Sequence, residues 1–181
     1  MAPQSLSFTP EEEELIEQEY QALVADYIAS PHRQKTEIID QAFRLARHAH
    51  GLVRRRSGEP YILHPIAVAR IVCKEIGLGS TSICCALLHD VVEDTEYTVE
   101  DIRRGFGDKI AQIVEGLTKI SAEQVPQNFD SLQAQNIRKL LLTIGDDARV
   151  ILIKIADRLH NMRTLGSMKP EKQMKIAGET S

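Results

Sequence analysis

Apolar positions recur along the chain at helical spacing. Leu15, Ile16, Leu23 and Val24 mark one face of a first helix over 10–28. Thr9 is placed to cap it, Pro10 suits its first position, and Glu11 to Glu14 fill the turn where the helix dipole favours acids. Ser30-Pro31 ends it. Ile38, Ile39, Ala42, Leu45, Ala46 and Ala49 stripe a second helix over 36–50, followed by a loop over 51–60. Pro65 predicts the start of a helix reaching Ile76, closed by the Gly77–Gly79 turn. Ser80 or Thr81 caps the next, which runs through Ile83-Cys84-Cys85-Ala86-Leu87-Leu88 and on through His89-Asp90-Val91-Val92-Glu93-Asp94. Thr98 and Asp101 resemble a capping box before a short helix to Arg104, although Asp closes such a box less well than Glu. Asp108 caps a helix to Ile120. Residues 121–129 read as an irregular loop, and Asp130 or Ser131 opens a helix to Ile144. The last long helix covers 147–165. Its start, Val150-Ile151-Leu152-Ile153, suits a strand by propensity, but no second strand pattern exists for it to pair with. Pro170 opens a terminal helix, and residues 1–8 form a loose tail. The prediction is one all-α domain over 1–181.

Length and composition agree with that reading. A chain of 181 residues, 43% hydrophobic and 27% charged, builds a sizeable core and is not a disordered sequence. A net charge of −4 argues against a general nucleic-acid binder. Cys73, Cys84 and Cys85 lie in apolar stretches without a C-x-x-C pair, and read as buried, reduced thiols of a cytoplasmic protein. No signal peptide is visible, and no apolar run approaches the roughly 20 residues that span a bilayer.

The chemistry concentrates in two places. His89-Asp90 and Glu93-Asp94 set an imidazole and three carboxylates within one helical turn of each other, against a buried stretch. Acids there are costly to ionise without a cation or hydrogen-bond donors. The second place is Asp157, Asn161 and Thr164, which share one helix face at i, i+4 and i+7. His160 lies one position off that face and reads as structural. His64, fixed between Tyr61-Ile62-Leu63 and Pro65, reads equally as a ligand or a packed side chain. Two imidazoles and two carboxylates suit a first-row divalent cation, and Glu93 with Asp94 would be left to handle protons. The Arg54-Arg55-Arg56-Ser57 loop is either an anion-binding turn or a solvated basic one.

Four strings, taken together, resemble the hydrolase domain of the RelA/SpoT homologue family, within the HD superfamily of metal-dependent phosphohydrolases. They are Arg55-Arg56-Ser57-Gly58-Glu59-Pro60-Tyr61-Ile62-Leu63-His64-Pro65, Ala86-Leu87-Leu88-His89-Asp90-Val91-Val92-Glu93-Asp94-Thr95, Gly116-Leu117-Thr118-Lys119, and Ile153-Lys154-Ile155-Ala156-Asp157-Arg158-Leu159-His160-Asn161-Met162-Arg163-Thr164-Leu165. The likeness covers 38–180. It implies an all-α HD helical bundle holding one Mn²⁺ on His64, His89, Asp90 and Asp157, with Glu93 and Asp94 handling protons. It also implies nucleotide contacts from Arg55, Arg56, Ser57, Asn161 and Thr164. The implied reaction removes the 3′-pyrophosphate of ppGpp and pppGpp in alarmone turnover. Alternatives within the superfamily are another nucleotide phosphohydrolase or a non-catalytic alarmone sensor. A degenerate sensor is expected to lack one of these residues, and none is missing. The sequence departs from the family at Arg56, usually Lys, and at Leu52-Val53, usually Gly-Gln. Long members continue past the string ending at Thr180 into synthetase and regulatory domains, and the chain reads as a hydrolase domain excised from such a protein, with a natural standalone hydrolase as the alternative.

Overall fold

The computed structural model describes residues 7–32, 34–119 and 148–166. Helices run Pro10–Ile28 (α1), Thr36–His50 (α2), Leu63–Arg70 (α3), Ser80–Leu88 (α4), Val91–Asp94 (α5), Val99–Phe106 (α6), Asp108–Lys119 (α7) and Arg149–Gly166 (α8). Among the described residues there is no strand, only one isolated antiparallel bridge between Arg54 and Pro60. The all-α reading holds, and Val150–Ile153 is helical. No described helix is long and apolar enough to cross a membrane. The loop over 121–129, the helix over 130–144 and the terminal helix from Pro170 lie outside the described residues.

Helix α4 is the centre of the packing. Every residue from Ser82 to Leu88 is buried, so it must be enclosed on all sides, and α2, α3, α7 and α8 pack against it. Leu87 and Leu88 are fully buried, each worth about 1.5–3 kcal/mol in transfer from water. Cys84 and Cys85 are buried and form no disulfide, and burial pushes Cys84 up to about 12, so it stays an inert thiol. The expected Thr9 cap forms and is completed by Glu12 as a capping box, and the expected box at Thr98 forms too. Thr9 Oγ1 accepts from the Glu12 N–H at 3.1 Å while Glu12 accepts from the Thr9 N–H at 2.9 Å. Thr98 and Asp101 do the same at 3.1 and 2.9 Å.

Several boundaries differ from the sequence reading. Helix α3 begins at Leu63, so Pro65 sits inside its first turn, where a missing N–H is harmless. Its continuation, Ile71–Ile76, winds as a π-helix; Gly77, at φ +87°, ends it, and the N–H groups of Gly77 and Leu78 share the Val72 carbonyl. Gly79, not Ser80 or Thr81, is the N-cap of α4, and α7 starts at Asp108 itself. The His89–Asp90 stretch is not one helix. In an unbroken α-helix the Asp90 N–H would bond to the Ala86 carbonyl. The His89 ring takes that carbonyl from Nδ1 at 2.6 Å, and the His89 N–H reaches it at 3.4 Å. The helix stops at Leu88 and resumes as α5.

Long-range polar contacts hold the outer elements. Arg54 donates to both Glu12 carboxylate oxygens at 2.6 and 2.8 Å, tying the 51–60 loop to α1. Ser7 and Phe8, expected in the loose tail, also meet Arg54: the Ser7 carbonyl accepts at 3.3 Å, and the guanidinium lies 5.1 Å from the Phe8 ring. Arg163 on α8 makes a two-bond pair with Glu75 of the π-helix, at 2.7 and 2.8 Å. At the other end of α8, Val150 packs on Gly116 of α7 so closely that a Cβ there would lie 3.0 Å from Val150 Cγ2.

Candidate metal centre

Three elements deliver the polar core of the site. His64 comes from α3, His89 and Asp90 from the break after α4, and Asp157 from α8. Ligand atoms of His64, His89 and Asp90 all lie within 4.8 Å of one another. Asp157 joins them through Oδ1, 2.6 Å from His64 Nε2 and 3.3 Å from His89 Nε2. Asp90 Oδ2 is 3.0 Å from His89 Nε2. Both histidines are 2% exposed.

The residues fit a divalent cation. His89 Nδ1, bonded to a carbonyl that can only accept, must carry a proton, so the neutral ring turns the Nε2 lone pair toward two carboxylate oxygens. That nitrogen is buried and in hydrogen-bond geometry with neither. An acceptor facing acceptors requires a positive centre between them. Burial disfavours a charged His89, but Asp90 and Asp157 outweigh it and raise the imidazolium well above the ordinary histidine range, a proton serving as that centre. Burial likewise opposes ionised Asp157 and Asp90, yet the imidazoles, with Tyr61 for Asp90, hold both carboxyls well below their ordinary values. For His64, burial prevails and lowers it.

Three side chains that the sequence reading leaves outside the site, His160 among them as structural, complete the surroundings. The Tyr61 hydroxyl donates to Asp90 Oδ2. Burial and the Asp90 charge raise that phenol far above its usual range, so it remains a donor. His50, 4% exposed, packs against Tyr61 at 4.8 Å between ring centroids. Its Nε2 has no hydrogen-bond partner among the described residues, and burial lowers it to about 4, keeping it neutral. His160 brings Nδ1 to 2.7 Å from His64 Nδ1. The signal for it was present: Asp157 to His160 is i to i+3, as much one face as Asp157 to Asn161.

The expected rim residues are placed around this core. Glu93 and Asp94 are exposed on α5, one turn beyond Asp90, whose carbonyl accepts the Asp94 N–H at 2.9 Å. Partial burial raises both carboxyls, and the charge of Lys154, itself 8% exposed, works against that rise. The 51–60 loop divides its arginines. Arg54 turns to α1, whereas Arg55 donates to Asn161 Oδ1 at 2.6 Å and Thr164 Oγ1 at 3.4 Å. Gly58, at φ +102°, closes the turn, and the Ser57 hydroxyl bonds to Glu59. Arg56 is exposed at its tip. Helix α8 thus serves two groups: Asp157 meets the imidazoles, and Asn161 and Thr164, further along the helix, meet Arg55.

Comparison with known proteins points the same way. An HD domain family model matches residues 42–181. A guanosine-3′,5′-bis(diphosphate) 3′-pyrophosphohydrolase of Aquifex aeolicus is 44% identical over 153 residues, 84% of this chain and 21% of that protein. The bifunctional (p)ppGpp synthase/hydrolase SpoT of Escherichia coli K12 is 49% identical over 140 residues, 77% of this chain and 20% of that protein. The chain thus spans about a fifth of the length of these curated relatives. A solved structure described as a metazoan ortholog of SpoT that hydrolyzes ppGpp superposes with a TM-score of 0.57 at 28% identity, covering 77% of this chain and 79% of that one.

Proposed function

The chain belongs to the HD domain family, and from that premise we propose that it is a Mn²⁺-dependent hydrolase removing the 3′-pyrophosphate of ppGpp and pppGpp to leave GDP or GTP. The observation that carries this reading is the convergence of His64, His89, Asp90 and Asp157 beside a guanidinium, Arg55, braced on the helix that bears Asp157. The names of the relatives supply the substrate. We assign the four converging residues as ligands of one cation. The set has no thiolate, and its two carboxylates favour a harder ion such as Mn²⁺ while its imidazoles remain acceptable to it. When bound, such an ion lowers the pKa of water toward neutrality and polarises a phosphoryl oxygen.

In the reaction, water attacks the phosphorus nearest the 3′ oxygen, and the bond between the two breaks. The attacking water loses a proton and the 3′ oxygen gains one. Glu93 and Asp94 are assigned these two transfers, because they stand a turn beyond the ligands without occupying a ligand position. Arg55 spends part of its five N–H donors on Asn161 and Thr164 and has others for an anionic ligand. Arg56 and Ser57 sit on the same turn. Asn161 and Thr164 fix the direction of the Arg55 fork and border the same space.

The test is incubation of the purified chain with Mn²⁺ and ppGpp, a nucleoside 5′-monophosphate or a cyclic dinucleotide. The expected result is GDP and pyrophosphate from ppGpp, abolished by EDTA and restored by Mn²⁺. Turnover of either other nucleotide but not of ppGpp would overturn the substrate assignment. Binding of ppGpp without turnover would replace the enzyme by a sensor.

A further inference from the structure

The two histidines assigned to the metal differ in how their outer nitrogens are held. His89 Nδ1 faces a backbone carbonyl, Ala86, at 2.6 Å. A carbonyl accepts and never donates, so it fixes a proton on Nδ1 in every state and leaves Nε2 as the nitrogen that meets a proton or a cation. His64 Nδ1 instead faces another imidazole, His160 Nδ1, at 2.7 Å. The ring centroids are 4.9 Å apart and the planes 28° from parallel. With nitrogens so close and centroids so far apart, the rings meet edge to edge, nitrogen to nitrogen, as an in-plane hydrogen bond requires. An imidazole nitrogen either donates or accepts, so this partner does not fix the tautomer of His64; it follows it.

That freedom matters because of what lies at the other nitrogen. His64 Nε2 stands 2.6 Å from Asp157 Oδ1, which as a carboxylate can only accept. Without a cation, the His64 proton belongs on Nε2, and His160 must donate at Nδ1. A cation taking the Nε2 lone pair requires the opposite arrangement, with the His64 proton on Nδ1 and His160 accepting. We propose that His160 is a positioning residue for the metal centre, a reversible hydrogen-bond partner that lets His64 exchange its Nε2 proton for a divalent cation. The proton balance closes within the pair. The Nε2 proton of His64 leaves to solvent, the shared proton moves from His160 Nδ1 to His64 Nδ1, and His160 gains one from solvent at its own Nε2. Each ring stays neutral throughout. Half-buried, His160 is open enough for that last exchange.

This rests on the metal-centre reading above, and the test separates the two. Mn²⁺ affinity is measured by electron paramagnetic resonance titration on wild type, His160→Phe, His160→Asn and His64→Ala. Phenylalanine keeps the ring and removes the acceptor; asparagine keeps an acceptor near the Nδ1 position. Removing outer partners of metal ligands typically costs about 10–100-fold in affinity. A loss of that order is expected in His160→Phe, with most of it recovered in His160→Asn and no measurable binding in His64→Ala. Wild-type affinity in His160→Phe, or equal losses in the two His160 variants, overturns the positioning role. Wild-type affinity in His64→Ala overturns the metal centre itself and the proposal with it. Nitrogen-15 spectra of the metal-free wild type decide independently of whether a variant folds. One proton shared between His64 Nδ1 and His160 Nδ1 is expected; a spectrum with neither nitrogen protonated sinks the proposal.

Discussion

Glu93 and Asp94 differ from the other acids of the site in a way that a measurement can read. Asp90 and Asp157 are held down by the imidazoles that face them, whereas burial raises Glu93 and Asp94 above ordinary carboxyl values. Positioned acid–base groups contribute on the order of 10²–10⁴ in rate. Glu93→Gln and Asp94→Asn are therefore expected to keep Mn²⁺ and ppGpp binding and lose single-turnover rate by that order; near wild-type rates in both would leave the pair out of the reaction. Stability gives a second reading. A carboxyl raised in the folded chain keeps a proton that the unfolded chain has already released, so it favours folding on the acid side. That contribution declines as pH rises from 4.5 for Glu93 and 3.8 for Asp94 through their raised folded values. Thermal melts across this range should show a shallower pH slope in the two amide variants. At this scale the sequence exposed the acids and His89 because they cluster along the chain. It hid the pairing of Tyr61 with Asp90, 29 residues away, and of His160 with His64, 96 residues away, although the i to i+3 spacing of His160 from Asp157 was there to be read.

Helices were legible where the signal is local. Thr9 caps as read, with Glu12 completing a box beyond the sequence reading, and Thr98 with Asp101 caps as read, because such a motif is complete within four residues. Thr98→Ala is expected to lower stability by about 0.5–2 kcal/mol while Mn²⁺ affinity holds, since α6 carries none of the assigned ligands. Parallel denaturation and metal titrations check both halves, and a matching loss of metal would tie α6 to the site. Two element features were not legible. The interruption after Leu88 is written in no breaker residue; His89 and Asp90 both keep right-handed helical backbone angles, and what ends the ladder is a side chain taking the Ala86 carbonyl. The π-helical turn at Ile71–Ile76 keeps an apolar pattern that an α-helix would also satisfy, and its identity depends on Gly77 and Leu78 sharing one carbonyl.

Across the molecule, the order of the four strings was readable, but not why the third, Gly116-Leu117-Thr118-Lys119, stands among them, for it supplies no assigned ligand. Its first residue is where α7 meets α8 across the Val150 side chain alone. Asp157 and His160 lie about two and three turns further along α8 from that contact. Adding a methyl group there in Gly116→Ala opposes two effects. Replacing a helical glycine by alanine favours the helix by roughly 1 kcal/mol, while a Cβ 3.0 Å from Val150 Cγ2 pushes that side chain by a few tenths of an ångström, and α8 with it where the side chain has no room to give. Functional constellations tolerate about 0.5 Å of misplacement, so the two effects need not be felt in the same place. Melting temperature near wild type with weakened Mn²⁺ binding is the expected pair of results, and unchanged affinity would mean that the contact gives way without carrying Asp157. The spacing between two helices then acts as the calibration of the centre: a residue that touches no ligand sets how closely the fourth one meets the other three.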